Sequence, residues 1–509
     1  MRITKTDFLE YSFCRKNLWL KKHKPELFDG LELSDFEIKI IREGNIADEA
    51  ARKLFSQGTL IESTNELAVG ETQRLLKEGK EVLFQAAFEH EDFFIRSDVM
   101  VFDAERNGWE LYEVKASTKV KNSPSELQNH VTDLAFQKEV IESCGLVVTK
   151  IGVILLNNKY VRHGQLDYDE LFTTVDISDD VAEVTDAVRA KMQEMKEYLQ
   201  MPEEKGCDCL LRGRSKHCVT FAYSNPQVPE YGIYDLSNIG SSKRKIETWV
   251  DEQRFGLDEV REDELSKRQR LQVETYLNQV SHVDKKAIAE LLNGLEFPLC
   301  FFDYEGLVAG IPLYDGFTAY EHVPFQYSLH ILHEDGSVDH TEHIITEVGS
   351  DMMSPLVEQL VTDASAGGTF VSWHASYERG RNEKLIELYP QHAAVLRSIN
   401  EKMFDLEEIF TKNLYAHYGF KGKTSIKYIL PVLVPELSYK TLSIQKGDHA
   451  SERWEHMMKL TTSVEEKEQI KQDLLEYCKM DTWAMVMIYK HLVQECVEPT
   501  QAHTALEYA

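Results

Sequence analysis

Acidic residues at two separated points in the C-terminal part of the chain have the spacing of a divalent-metal site. Asp303 and Glu305 end an apolar run, and Tyr477 and Asp481 lie four residues apart in a stretch with helical periodicity. Residues two apart share one face of a strand and residues four apart share one face of a helix. Carboxylates that converge from separate elements can hold two divalent cations, which stabilise the attacking and leaving oxygens of a phosphodiester displacement. The pattern predicts a two-metal nuclease site that uses Mg²⁺ or Mn²⁺.

Glu378 is the fourth acidic residue of this set. It follows another apolar stretch and is expected at the start of a helix near the same sheet edge. Asp303 and Glu305 alone could be a solvated pair on an edge strand. With Glu378 and Asp481 in order behind them, the four acids are predicted to bind the metal ions, and Tyr477 is predicted to orient the attacking water.

A second set of chemically useful residues lies upstream. Asp98 belongs to a stretch that alternates like a strand, and Glu113 and Lys115 belong to another. If these strands pair as a hairpin, Asp98 and Glu113 can hold a cation while Lys115 polarises the scissile phosphate or helps lower the pKa of water. Gln137, on the following helix, could orient substrate or water. An E-x-K triplet by itself is usually an exposed strand.

The bulk composition indicates a folded chain with packed cores. At 509 residues the chain should hold two to four domains, and 42% of its residues are apolar. It has no apolar run long enough for a membrane span and no secretory h-region, so a cytoplasmic location is expected. The net charge of −29 argues against coating nucleic acid through a broad basic face. It does not exclude a nuclease, because bound cations and short basic clusters can meet phosphates.

The elements alternate in two α/β regions separated by a more helical one. The first region is predicted to contain strands at 82–88, 93–102, 109–114 and 151–156, and an acidic, solvated connection at 167–186. The second is predicted to contain strands at 299–304, 324–332, 340–345 and 369–372. We therefore expect domains at 1–222 and 291–500, joined by a helical connector at 223–290.

The first region resembles the RecB-like family of PD-(D/E)xK nucleases, which have a restriction-endonuclease-like fold. The resemblance rests on the entry from Thr6 to Lys16, the helix around Asp48, and Asp98, Glu113-Val114-Lys115 and Gln137. It implies that these residues form a nuclease site with Asp48, Asp98 and Glu113 as metal ligands. The family often has histidine at the position of Asp48.

The cysteines extend this resemblance to the iron–sulfur branch of the same family. Cys14 stands alone upstream, and Cys207, Cys209 and Cys218 follow in a glycine-flanked basic loop. The resemblance implies that the four thiolates hold a [4Fe–4S] cluster that joins the two ends of the domain. Their C-x-C-x8-C spacing differs from that of the branch, and Zn²⁺ is the alternative. The other four cysteines are interpreted as core residues.

The second region resembles DEDD exonucleases of the ribonuclease H-like fold, in the subgroup with tyrosine in the last motif. The resemblance implies 3′-5′ removal of mononucleotides by Asp303, Glu305, Glu378, Tyr477 and Asp481. Glu378 stands where the family usually has aspartate. The expected function is a two-centre nuclease acting on DNA, with single-stranded ends favoured and no membrane partner. The alternatives are an exoribonuclease, or a nucleic-acid-binding assembly protein whose N-terminal nuclease fold is structural.

Overall fold

The computed structural model describes residues 2–123, 126–347, 349 and 351–497. The described chain divides into two compact units, which both combine helices and strands, so the predicted mixed α/β class is confirmed. Unit 1 comprises the residues up to Glu230 with Ile246–Gln253 and Ala309–Glu321; unit 2 comprises Tyr231–Lys245, Arg254–Val308 and the residues from His322. The expected connector 223–290 is thus shared between the two units. The expected boundary at residue 500 lies outside the described residues.

Unit 1 is built on a seven-stranded sheet. Its strands are β1 (Ile3–Thr4), β2 (Thr59–Leu60), β3 (Val82–His90), β4 (Phe93–Asp103), β5 (Gly108–Lys115), β6 (Val148–Leu156) and β7 (Phe172–Asp176). They follow the order β2-β3-β4-β5-β6-β7, and β1 pairs with β4. The antiparallel ladder between β4 and β5 is the predicted hairpin, with Val99 opposite Tyr112. This pairing places Asp98 and Glu113 in adjacent strands of one sheet.

The helices of unit 1 pack against the sheet, and the buried apolar residues form two clusters. They are α1 (Lys5–Phe13), α2 (Arg15–His23), α3 (Asp35–Ala51), α4 (Asn65–Lys77), α5 (His130–Ser143), α6 (Tyr168–Leu171), α7 (Ser178–Tyr198), α8 (Phe221–Ser224) and α9 (Lys243–Asp251), of which α9 begins in unit 2. Phe8 of α1 stacks on Phe136 of α5, with ring centroids 4.5 Å apart. This packing fixes the start of α1 against the helix that carries Gln137.

The acidic segment 167–186 is not the solvated connection that its charge suggested. It contains β7, which pairs antiparallel with β6, and the first residues of α7. The burial pattern explains the error, because β7 lies at the edge of the sheet and exposes Thr173, Thr174 and Asp176. An edge strand with a polar face resembles a loop in sequence.

Unit 2 contains a five-stranded sheet with β9 at its centre. The strands of the unit are β8 (Ser281–Val283), β9 (Leu299–Val308), β10 (His322–Leu332), β11 (Val338–Ile344), β12 (Thr369–Ser372), β13 (Met403–Asp405) and β14 (Tyr415–His417). The sheet order is β11-β10-β9-β12-β13, and β8 pairs separately with β14. β10 runs antiparallel to both of its neighbours, β11 and β9, whereas β9, β12 and β13 run parallel to one another. The fully buried Cys300, Phe301 and Phe302 explain why β9 occupies the centre.

A long C-terminal helix packs on this sheet. The helices of unit 2 are α10 (Lys267–Asn278), α11 (Lys285–Asn293), α12 (Ser354–Asp363), α13 (Ser376–Leu388), α14 (Ala393–Glu401), α15 (Glu408–Thr411), α16 (Ile426–Leu433), α17 (Gly447–Met458) and α18 (Val464–Cys496). Ser463 caps α18 by accepting from the Glu466 backbone N–H. Phe301 of β9 meets Tyr489 of α18 with ring centroids 5.7 Å apart. The contact holds α18 across the strand that carries Asp303 and Glu305.

Across the described ranges, every helix is too short or too polar to cross a membrane.

Candidate metal centres

Three carboxylates of unit 2 converge as the sequence predicted. Asp303 and Glu305 on β9 and Asp481 on α18 offer oxygens that all lie within 4.8 Å of one another. The two β9 residues share a face because they are two apart, and α18 brings Asp481 to that face. Cys478, one turn before Asp481, places its Sγ 3.7 Å from Asp303 Oδ2. The arrangement supplies oxygen ligands of the kind that Mg²⁺ and Mn²⁺ prefer.

The electrostatics of this group favour a bound cation. Burial raises the pKa of Asp303 and Glu305 well above the usual range, and the charge of Asp481 raises both further. Burial also raises the pKa of Asp481 to about 6. Carboxylates that repel one another in a buried site retain protons unless positive charge compensates them. A divalent cation would provide that compensation and deprotonate the group.

Glu378 lies beside the three carboxylates without being part of their group. It is 1% exposed, near the start of α13, and its Oε2 has no hydrogen-bond partner among the described residues. Burial raises its pKa to about 8. Its charge raises the pKa of Asp303 and Glu305. The structure therefore places Glu378 near the site, with an unsatisfied oxygen that a cation or its water could engage.

A turn fixes the helix that carries Glu378. Asp405 at the end of β13 accepts from the backbone N–H groups of His374, Ala375 and Glu407, each at 3.1 Å. His374 has φ of +68°, a left-handed conformation that these bonds stabilise. The role of Asp405 is thus to shape the turn between β12 and α13.

Two tyrosines and a lysine surround Asp481. The Tyr439 hydroxyl donates to Asp481 Oδ1 at 2.6 Å. Lys427 of α16 donates to the Tyr477 hydroxyl at 3.2 Å and to the Gln445 carbonyl at 2.8 Å. The Tyr477 hydroxyl thus lies at the acidic site, where it could position a water molecule. Burial and the charge of Asp481 raise the pKa of Tyr477, so the hydroxyl stays protonated.

The predicted site of unit 1 is arranged differently. Asp98 Oδ2 accepts from the Val114 backbone N–H at 2.8 Å, and its Oδ1 accepts from Gln85 Nε2 at 3.2 Å. Burial, followed by the charge of Glu113, raises the pKa of Asp98 to about 7. Among the described residues, Asp48, Asp98 and Glu113 do not form a group with ligand oxygens within 4.8 Å of one another.

Two lysines form ion pairs with the Glu113 carboxylate. Lys5 and Lys115 both donate to Glu113 Oε1 at 2.6 Å. Gln137 donates to Glu113 Oε2 at 2.8 Å and to Asp133 Oδ1 at 2.9 Å. Burial opposes ionisation of Glu113, but Lys115 and Lys5 hold its pKa well below the usual range. The predicted residues Glu113, Lys115 and Gln137 therefore contact one another. The negative charge of Glu113 is compensated by Lys115 and also by Lys5, without a metal ion.

Asp48 on α3 is linked to Asp98 through Gln85. Gln85 Nε2 lies 3.3 Å from Asp48 Oδ1, and Arg52 pairs with Asp48 Oδ2 at 3.3 Å. Gln85 has φ of +58° and is skipped in the pairing of β3 with β4, where Phe84 faces Val99 and Ala86 faces Ser97. The register is the same on both sides of Gln85, so the left-handed backbone of this one residue interrupts the ladder opposite Asp98. Here it directs an amide between the two carboxylates.

The four predicted cysteines converge in unit 1. Their sulfur atoms all lie within 4.8 Å of one another, and Cys14 Sγ is 3.8 Å from Cys218 Sγ. Cys14 lies between α1 and α2, and Cys207 precedes a short 3₁₀ helix, Asp208–Leu211. All are free thiols. The group has the donors of a thiolate metal site. Cys144, expected in the core, is exposed at the end of α5.

Sequence reasoning missed four residues that contact these sites. Asp133 could have been found, because it precedes Gln137 by one helical turn on the same face of α5. The other three reach their sites from distant or irregular positions, and no local spacing marks them: Lys5, Gln85 and Tyr439.

The chain is similar in sequence to a domain of unknown function and to proteins that are described as uncharacterized. Residues 300–425 match the model of a domain of unknown function, DUF2779. The chain is 24% identical over 215 residues to the uncharacterized protein MG366 of Mycoplasma genitalium, covering 38% of this chain and 32% of the relative. It is 25% identical over 277 residues to the uncharacterized protein UU173 of Ureaplasma parvum, covering 48% and 39%. The chain therefore spans about a third of the length of these relatives.

Proposed function

We propose that unit 2 is a divalent-metal-dependent 3′-5′ exonuclease that acts on DNA, with RNA as the alternative substrate. The observation that carries the proposal is the convergence of Asp303, Glu305 and Asp481 within 4.8 Å, from elements far apart in the chain. The position of Tyr477 one turn before Asp481 on α18 also supports it. The sheet order, with one antiparallel strand beside a central acidic strand, is compatible with the ribonuclease H-like fold that the resemblance implies.

The side chains of the site have distinct tasks in this proposal. Asp303, Glu305 and Asp481 would hold the cations, whose charge stabilises the attacking and leaving oxygens of the phosphodiester. Tyr439 holds the Asp481 carboxylate by its 2.6 Å hydrogen bond. Lys427 donates to the Tyr477 hydroxyl, which leaves an oxygen lone pair of that hydroxyl to accept a hydrogen bond from the attacking water. Glu378 would complete the ligand set directly or through water.

The proposal is tested with end-labelled nucleic acid and the full-length protein. A single-stranded DNA labelled at its 5′ end should shorten stepwise from the 3′ end with Mg²⁺ or Mn²⁺, and EDTA should stop the reaction. A 3′ block should protect the strand and a 5′ block should not. Parallel reactions with duplex DNA and single-stranded RNA of the same sequence identify the preferred substrate.

Matched variants connect this activity to the site. Asp303→Asn with Asp481→Asn should reduce trimming by about 10²-fold or more, since it removes ligands and charge stabilisation together. Asp339→Asn, on a strand of the same sheet and 73% exposed, is the control. Unchanged 3′ trimming in the double variant would exclude this site as its source.

For unit 1, the proposal is a second nuclease centre at Asp98, Glu113, Lys115 and Gln137. Loss of one activity in Lys115→Ala and Asp98→Ala, with 3′ trimming retained, would support independent centres. One observation favours the alternative of a structural, nucleic-acid-binding unit: Lys5 and Lys115 share one oxygen of Glu113. Activity unaffected by either substitution would favour that alternative.

A further inference from the structure

We propose that the cysteine group of unit 1 binds a single zinc ion in a tetrahedral S₄ site, instead of the four-iron cluster that the resemblance implies. The ligands are the thiolates of the described residues Cys14, Cys207, Cys209 and Cys218. The site is structural, because its four protein ligands complete the coordination of zinc.

The spacing of the sulfur atoms carries this proposal. A Zn–S bond of about 2.3 Å gives a tetrahedron with an S–S edge of about 3.8 Å. Cys14 Sγ and Cys218 Sγ lie 3.8 Å apart, and all four sulfurs fall within 4.8 Å of one another. In a [4Fe–4S] cluster each thiolate binds a different iron atom, so the sulfurs must stand around a much larger body. The observed group has room for one ion at its centre and not for a cube of eight atoms.

Hydrogen-bond donors around the sulfurs are those expected of a thiolate site. Asn225 Nδ2 lies 3.2 Å from Cys207 Sγ, and Arg212 Nη1 lies 3.9 Å from Cys209 Sγ. Outer donors of this kind orient metal ligands and stabilise their negative charge. Asn225 is fully buried, which argues for a fixed role at the sulfur.

The cysteine group lies where two distant segments of unit 1 meet, so a bound ion would connect them. Cys14 ends α1 and begins α2, whereas the other three ligands belong to the loop that follows α7. Nearby, the buried Lys16 donates to Glu203 Oε1 at 2.8 Å, which joins the same two segments. The ion would therefore fasten the N-terminal helices to the segment that closes unit 1.

Metal analysis of the untreated full-length protein tests the proposal without any nuclease assay. The expected result is one zinc per chain, no acid-labile sulfide and no visible absorption. Replacement by Co²⁺ should produce the intense d–d bands of tetrahedral thiolate coordination. Several irons with equimolar labile sulfide in anaerobically purified protein would overturn the proposal. One iron without sulfide would overturn the choice of zinc.

Variants locate the ion. Cys209→Ser should lower the zinc content at least tenfold and remove the cobalt bands, whereas Cys144→Ser, at an exposed cysteine of the same unit, should change neither. If Cys209→Ser does not fold, thiol titration of native wild-type protein still decides. Four thiols that react only after a chelator is added support the site. Reaction of these thiols without the chelator, or their pairing in disulfides, overturns it.

Discussion

Replacement of Glu378 by glutamine should stabilise the metal-free protein at high pH while it impairs the proposed metal site. Glu378 is buried and its Oε2 lacks a partner, so the ionised side chain is costly to the fold. Burial raises its pKa from 4.5 to about 8. Because the folded carboxyl holds its proton more tightly than the unfolded one, the stability of the native state falls as the pH rises between these values. Glutamine has the same shape and no charge to bury.

The magnitude follows from the two pKa values. At 1.36 kcal/mol per unit of pKa, the difference between 4.5 and about 8 corresponds to about 5 kcal/mol once Glu378 is fully ionised. About 3 kcal/mol of this cost arises between pH 6 and pH 9, since the folded carboxyl loses its proton near pH 8. For a unit of this size, 1 kcal/mol shifts the melting temperature by about 2–4 °C. The advantage of Glu378→Gln should therefore grow by about 6–12 °C over that interval.

Thermal unfolding by circular dichroism in EDTA, from pH 6 to pH 9, measures this difference. Glu387→Gln is the control, because Glu387 lies on the same helix and is 70% exposed; its melting curve should follow the wild type at every pH. Saturating Mn²⁺ should reverse the order at pH 9, since a ligand bound to the native state adds stability. Parallel melting temperatures for wild type and Glu378→Gln across the range would refute the reasoning.

Three further predictions concern residues around the two acidic sites. Tyr439→Phe removes the donor to Asp481 and should weaken Mn²⁺ binding at least about tenfold in calorimetry, as hydrogen bonds to charged groups contribute about 1.5–3 kcal/mol; unchanged affinity would contradict this. Tyr477→Phe should slow 3′ trimming at saturating Mn²⁺ with a smaller effect on affinity, and equal losses in both measurements would argue for a ligand role instead. Lys5→Met removes one cation from Glu113 and should strengthen Mn²⁺ binding in unit 1, measured in protein whose unit 2 site carries Asp303→Asn. Lys5→Arg keeps the charge and should leave this binding unchanged; the same result for Lys5→Met would show that Glu113 does not bind metal.

Local patterns predicted the strands and the acids they carry. The apolar run before Asp303 marked β9 as a buried strand, and the alternation around Asp98 marked β4. Period-two spacing then placed Asp303 and Glu305 on one face, and the four-residue spacing placed Tyr477 with Asp481. These relations depend only on the geometry of single elements, which the sequence encodes directly.

Contacts between distant segments could not be predicted in this way. Lys5 reaches Glu113 across 108 residues, and Tyr439 reaches Asp481 from a short 3₁₀ helix after α16. Gln85 acts from a position of left-handed backbone, which the alternating pattern of β3 does not reveal. In each case the tertiary packing, rather than a periodic pattern, selects the partner.

The helix α1 carries Lys5 at its first position and ends immediately before Cys14. Its nine residues span about 13 Å along the axis, as one rigid rod. The proposed ion at the cysteines would therefore fix one end of α1, whose other end carries the lysine that pairs with Glu113. Release of that ion would free the C-terminal end of α1 and weaken the ion pair between Lys5 and Glu113. The cysteine group and the acidic group of unit 1 would then be coupled through a single helix.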